Sequence, residues 1–182
     1  MSNSFQLLIQ SETNEWYTPK TIIEAAIEVM GGIDLDPASN DIAQEWIRAL
    51  RYYTFYDDAF YKNWEGRIWL NPPYGQRNFE EGIYGASAWL NKCFYNYKYG
   101  DISEAIILAR GDSEGVRNLV REAPVFIECD RIAFLKPDMT PGEHPVPGSK
   151  IFYLGQKPRK FATVFQKFGI PLSRYLCPAL AS

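Results

Sequence analysis

Apolar residues recur along this chain at two alternating spacings, one helical and one strand-like, which predicts an α/β sheet with helices on both faces. Ile22, Ile23, Ala26, Ile27 and Met30 share one helical face, and the pattern stops at Gly31-Gly32. Thr18 suits the N-cap of that helix, and Pro19 its first position. A short strand follows from Ile33 and turns at Asp36-Pro37. Ile42, Trp46, Ile47 and Leu50 line a second helix over about residues 41–50. The aromatic and acidic stretch from Arg51 to Phe60 reads as a strand leading into a loop at Tyr56-Asp57-Asp58. Residues 67–70 form another strand, and a helix is expected over about 79–95. The wholly apolar run Ala105-Ile106-Ile107-Leu108-Ala109 has the character of a central parallel strand. A short helix over 113–121, strands over 125–129 and 151–154, and a last helix near 159–168 complete the pattern.

Asp36, Asn71 and Arg110 each fall at a predicted strand end. Open α/β sheets bind ligands at the carboxyl ends of their strands, so one crevice is expected to collect all three. Asp34 alternates with Asp36 and is expected to face elsewhere.

The 182 residues suit a single domain, 46% apolar and 23% charged, which is ordinary globular usage. No run of 18 apolar residues occurs, and Met1 to Ser4 lacks the order of a signal peptide, so a soluble, cytoplasmic protein without a membrane partner is expected. Cys93, Cys129 and Cys177 lie far apart with no CxxC spacing, and His144 is the only histidine. Neither a disulfide framework, a metal site nor a Ser-His-Asp triad follows from such a set. The net charge of -3 argues against nucleic-acid binding through a broad positive field. A local strip remains open to Arg110, Arg117 and Arg121, or to Lys150, Lys157, Arg159 and Lys160.

The most chemically specific segment is Asn71-Pro72-Pro73-Tyr74, set directly behind the strand Arg67-Ile68-Trp69-Leu70. Each proline fixes φ and lacks an N–H, and Asn71 is biased away from helix by the proline after it. The Asn71 amide oxygen and the Pro72 carbonyl are thus two acceptors near one another, with the Tyr74 ring beside them. Two acceptors and a flat aromatic face suit an exocyclic amino group on a planar base.

This tetrapeptide resembles motif IV, (D/N/S)PP(Y/F/W), of amino-methyltransferases that use S-adenosylmethionine. Upstream, Trp16-Tyr17-Thr18-Pro19 and Leu35-Asp36-Pro37-Ala38 resemble motifs X and I in permuted order. With Trp64 between them and Asn71, and with Pro147-Gly148-Ser149 later, the chain is most similar to phage-type DNA N6-adenine methyltransferases of the Dam family. The resemblance implies a Rossmann-like methyltransferase fold of reduced size with a mostly parallel sheet, S-adenosylmethionine as cofactor and DNA as partner. It implies that Asn71 and Pro72 orient the adenine amine, Pro73 stiffens the tip and Tyr74 stacks on a flipped base. For the cofactor it implies Thr18 and Asp36, flanked by Trp16, Pro19, Pro37 and Ala38, with Asp58 toward the cofactor's adenine. Ser39-Asn40-Asp41 stands where motif I usually carries glycines, and little chain separates Asp36 from Asn71, so a strand-helix unit is reduced or absent.

Residues 136–150 carry four prolines and two glycines and read as a stiffened loop, a candidate DNA contact through Lys136, Met139 and His144. The chain leaves no room for a separate target-recognition domain, which points to relaxed specificity or a specificity partner; a homo-oligomer stays open, since the sequence does not determine the oligomeric state. Two alternatives stay open on the residues themselves. One is methylation of another planar amino group, in protein glutamine, RNA adenine or cytosine N4. The other is a non-catalytic module that keeps the fold.

Overall fold

The computed structural model describes residues 16–74, 84–144 and 146–173. Among these residues, seven strands form one sheet: β1 (Leu35–Asp36), β2 (Arg51–Tyr52), β3 (Gly66–Leu70), β4 (Ile102–Arg110), β5 (Val125–Cys129), β6 (Ser149–Leu154) and β7 (Gly169–Ser173). Their order across the sheet is β2-β1-β3-β4-β6-β5-β7. The β2-β1-β3-β4 half is parallel, and the β4-β6, β6-β5 and β5-β7 pairings are antiparallel. This is a mixed α/β sheet of the Rossmann-like methyltransferase kind.

Among the described residues, five α-helices cover it: α1 (Lys20–Met30), α2 (Asp41–Ile47), α3 (Ala86–Tyr99), α4 (Glu114–Glu122) and α5 (Pro158–Phe165). Alternation along the strands sorts the buried side chains into two layers. Trp69, Ile106, Leu108, Ile151 and Tyr153 pack with α1, α2 and α5 on one face. Ile68, Leu70, Ile107, Phe152 and Leu154 pack with α3 and α4 on the other. The expected helices on both faces are present. Cys93 and Cys129 are free thiols buried in opposite layers, so the sheet itself separates them.

From β1 the chain moves outward to β2 through α2 on one face, then returns to β3 on the other side of β1. From β3 it reaches β4 through α3 on the opposite face. Successive crossovers of one hand must use opposite faces when the direction of travel reverses. The reversal lies between β1 and β3, which opens a crevice beyond their carboxyl ends.

Most expected elements form, with shifted ends. Thr18 is not the N-cap of α1: Pro19 takes that position with ψ 138°, outside the helix, and no side chain caps it. The second helix ends early, at Ile47, where Arg48 turns left-handed at φ 53°. The stretch after β2 winds into two 3-10 turns, Phe55–Asp57 and Ala59–Tyr61, in place of a longer strand. That confirms the reduced unit between Asp36 and Asn71. The helix expected over 79–95 begins at Ala86, its earlier part lying outside the described residues. The loop expected to reach residue 150 gives way to β6 at Ser149.

Strand β7 was not expected. It is an edge strand among the described residues, and Pro171 sits within it opposite Ile127. Proline is tolerated there because an edge strand has one side without a ladder. At the other ends of the strands, Asp34 grips Arg67 through two side-chain hydrogen bonds of 2.6 and 2.9 Å and a backbone one of 2.8 Å, fixing the entry of β1 beside β3. The arginine holds the Asp34 carboxyl below its usual range, first through these hydrogen bonds. Asp34 thus sits at the entry of β1 and Asp36 at its carboxyl end; residues two apart share a strand face, so it is this difference in strand end, not alternation, that keeps Asp34 from the crevice.

Candidate active site

Asn71 leaves the carboxyl end of β3 on the α1 side, and its Nδ2 lies 3.3 Å from the Thr18 hydroxyl, to which it donates. Its amide oxygen is buried and accepts no hydrogen bond among the described residues. An acceptor in that state costs about 1–3 kcal/mol, and natural proteins leave such groups where something else completes them. Pro72 behind it is buried and Pro73 is exposed. The tip is therefore rigid and anchored on one side, with an oxygen in reserve.

Thr18 reaches this place because the Trp16 to Pro19 segment is extended and cross-tied. Tyr17 exchanges backbone hydrogen bonds with Leu135 at 2.9 and 2.8 Å. The Trp46 indole donates to the Thr18 carbonyl at 3.2 Å, and its ring meets Tyr17 edge-on at 5.7 Å. Trp16 is exposed and lies across Gly142, where an added Cβ would come within 2.6 Å of the ring. The 136–148 segment is thus folded back onto the Trp16 to Pro19 element. It is further closed by a Lys136–Thr140 turn and by pairing of Ile132 with Val146. Lys136 is bound to Glu143 at 3.2 Å, Met139 packs on the core and His144 is exposed.

Asp36 ends β1 and is 1% exposed. Its carboxylate accepts from the Ala38 N–H at 3.4 Å and from Gln44 Nε2 at 3.0 Å, and no cation pairs with it among the described residues. Burial pushes its pKa up to about 7, against the hydrogen bonds from Ser39, Ala38 and Gln44 that lower it. The turn after it needs no glycine. Asn40 N-caps α2 by accepting from the Ala43 N–H at 2.9 Å, and its Nδ2 donates to the Tyr17 hydroxyl at 3.2 Å. Pro37 is buried and Ala38 half-buried within this turn.

Asp58 stands apart. It is exposed, sits at φ 50° between the two 3-10 turns, and makes no side-chain hydrogen bond or ion pair with Thr18, Asp36 or Asn71. Its neighbour Asp57 is turned inward instead, accepting from the Thr54 N–H and hydroxyl at 2.8 and 2.7 Å. Those bonds hold the Asp57 carboxyl below its usual range. Trp64 is fully buried and donates to the Ala59 carbonyl at 2.9 Å, which makes it a core residue.

On the far side of Asn71, Tyr74 is divided between two environments. The residue as a whole is 37% exposed, whereas its hydroxyl donates to the Leu108 carbonyl of β4 at 3.1 Å. Burial raises the phenol pKa. The Arg110 guanidinium lies 4.4 Å over the ring centroid. Gln44, Asn40 and the Arg110–Tyr74 pairing were not legible as parts of a site. Only the polar character of Ser39-Asn40-Asp41 hinted at the first two.

A family model described as DNA N-6-adenine-methyltransferase (Dam) matches residues 6–164. The chain belongs to this family. It is a DNA adenine methyltransferase, and the match covers β1 to β6 with every element that builds the crevice. No curated protein matches the chain. No solved structure matches it either. Dam-family membership agrees with the absence of any helix among the described residues long and apolar enough to cross a membrane.

Proposed function

We propose that this Dam-family chain transfers a methyl group from S-adenosylmethionine to N6 of an adenine flipped out of duplex DNA. The observation that carries the reading is the buried Asn71 amide oxygen, which accepts no hydrogen bond while Thr18 occupies the other end of the same amide. An exocyclic amine brings two N–H groups. Asn71 Oδ1 accepts one and the Pro72 carbonyl the other, which holds the nitrogen in place and keeps its lone pair directed out of the hydrogen-bonded plane. Catalysis then rests on positioning and on fixed dipoles, without a covalent enzyme intermediate.

A base within the duplex cannot reach this tip, so the adenine must leave the stack. Stacking on Tyr74 offsets part of that cost, by roughly 1–3 kcal/mol. The cofactor half fits a cationic ligand: Asp36 is a buried carboxylate with no positive partner among the described residues, at the switch point between β1 and β3. When bound, S-adenosylmethionine supplies an electrophilic methyl on a sulfonium. Asp36 accepts hydrogen bonds from its ammonium, directly or through water. Thr18 holds the amino-acid end, and Trp16, Pro19, Pro37 and Ala38 shape the walls. The folded segment around Lys136, Met139 and His144 is assigned to the DNA side.

Purified protein given S-adenosylmethionine labelled in the methyl group and mixed-sequence DNA is expected to yield labelled N6-methyladenine on hydrolysis of the product. Asn71→Ala is expected to abolish the label while preserving the circular dichroism spectrum. Full activity in that variant, or label recovered on another base, would overturn the assignment.

A further inference from the structure

We propose that Arg110 is a positioning residue for capture of the flipped base, acting through Tyr74. The proposal rests on the stacking role assigned to Tyr74 above. Arg110 is the last residue of β4, a central strand whose Ala105 to Ala109 segment is at most 1% exposed. On one side it is paired with Ser149 of β6, so its backbone is fixed by the sheet. From there the guanidinium covers one face of the Tyr74 ring at 4.4 Å, while the ring's hydroxyl is tied to the Leu108 carbonyl two residues back on the same strand. One strand end thus holds the ring at its tip and on one face.

Two consequences follow from this clamp. A tyrosine held at its hydroxyl alone still pivots about that bond, whereas a second hold on the face fixes the plane in which a base must stack. A cation on one face also draws π density away from the other, which favours contact with an electron-rich purine there. Tyr74 as a residue keeps 37% of its surface exposed, and that contact is assigned to the ring face opposite Arg110. No carboxylate forms an ion pair with Arg110 among the described residues, so its charge is not engaged in a salt bridge. A guanidinium also stacks flat on a ring in a way that an ammonium does not, which makes arginine and lysine distinguishable at this position.

The test uses a duplex whose methylated adenine has been mapped and replaced by 2-aminopurine, whose emission rises when it leaves the stack. Arg110→Met is expected to raise the KM for DNA roughly five- to thirty-fold, as suits loss of a partly desolvated cation–π contact. It is expected to diminish the emission rise, leave kcat within about two-fold and leave the calorimetric affinity for S-adenosylhomocysteine unchanged. Arg110→Lys is expected to restore part of the signal, which a purely structural role would not require. An unchanged KM and full emission in Arg110→Met would overturn the proposal. So would tighter DNA binding with a larger signal, which would make Arg110 a plug over the ring. Tyr74→Ala separates the two readings. If it leaves KM and emission intact, the stacking role itself fails; if it abolishes both while Arg110→Met is silent, only the role of Arg110 falls.

Discussion

Asp36 shows most clearly how burying a single carboxyl side chain makes stability depend on pH. Its carboxyl is buried and its pKa stands near 7, above the ordinary value of 3.8, because desolvation outweighs three hydrogen bonds. A raised folded-state pKa means that the native protein binds the proton more tightly than the unfolded chain. Stability is therefore full below about pH 4 and is lost as pH rises toward 7, by up to about 4 kcal/mol for a shift of this size. A cationic ligand reverses the balance, since it rewards the ionised form. Asp36→Asn is expected to flatten the decline in urea-denaturation stability between pH 4 and pH 8. It is also expected to weaken binding of S-adenosylhomocysteine at pH 8. A variant with the wild-type pH profile would show that another group governs it. The sequence displayed Asp36 as an Asp-Pro turn at a strand end. It could not display the cause of the shift, because the burial that raises the pKa exists only once the elements around β1 have packed over the turn, and Gln44 of α2, whose hydrogen bond opposes it, arrives with them.

At the level of elements, what was legible depended on how local the determinants are. Strand β5 forms over Val125–Cys129 as expected, since five alternating residues bounded by Pro124 and Asp130 specify it alone. Strand β7 was invisible because Pro171 argues against a strand until its edge position is known. Thr18 looked like a cap because cap residues and pocket-lining hydroxyls are the same residue types, and only the contact with Asn71, 53 positions away, separates them. The Arg110–Tyr74 stack likewise joins residues from different strand ends. The Trp16 to Pro19 element draws its shape from the folded 136–148 segment, and Gly142 is where the two meet most closely. A Cβ at 2.6 Å from the Trp16 ring must displace that ring, and an exposed side chain can swing away without disturbing the core. Gly142→Ala is accordingly expected to red-shift tryptophan emission and weaken S-adenosylhomocysteine binding roughly tenfold, with global stability changed by under about 1 kcal/mol. Unaltered affinity would release the 136–148 segment from any part in shaping the cofactor side.

For the molecule as a whole, topology and charge together constrain how DNA is engaged. The reversal between β1 and β3 gathers Asp36, Thr18 and Asn71 at one end of the sheet, and β4 brings Arg110 to the same end, where it meets Tyr74 from the segment after β3. The antiparallel return of β6 brings the 130–148 segment there too, since Ser149 begins that strand opposite Arg110. Little positive charge accompanies them. The chain has 19 basic and 22 acidic residues, and around this end Lys136 and Lys150 are already bound to Glu143 and Glu128. Each phosphate neutralised on duplex DNA contributes a slope of about -0.9 to the dependence of log K on log salt. On a chain with a net charge of -3, affinity is expected to come mainly from the captured base and the crevice, with a smaller share from counterion release. The dependence of DNA affinity on salt is therefore expected to be shallow, with a slope of roughly -2 to -4 as measured by fluorescence anisotropy. Tyr74→Ala is expected to lower affinity at every salt concentration without changing that slope, because stacking releases no counterions. A steep slope in the wild type, or one that changes in Tyr74→Ala, would place the main hold on DNA outside this end of the sheet.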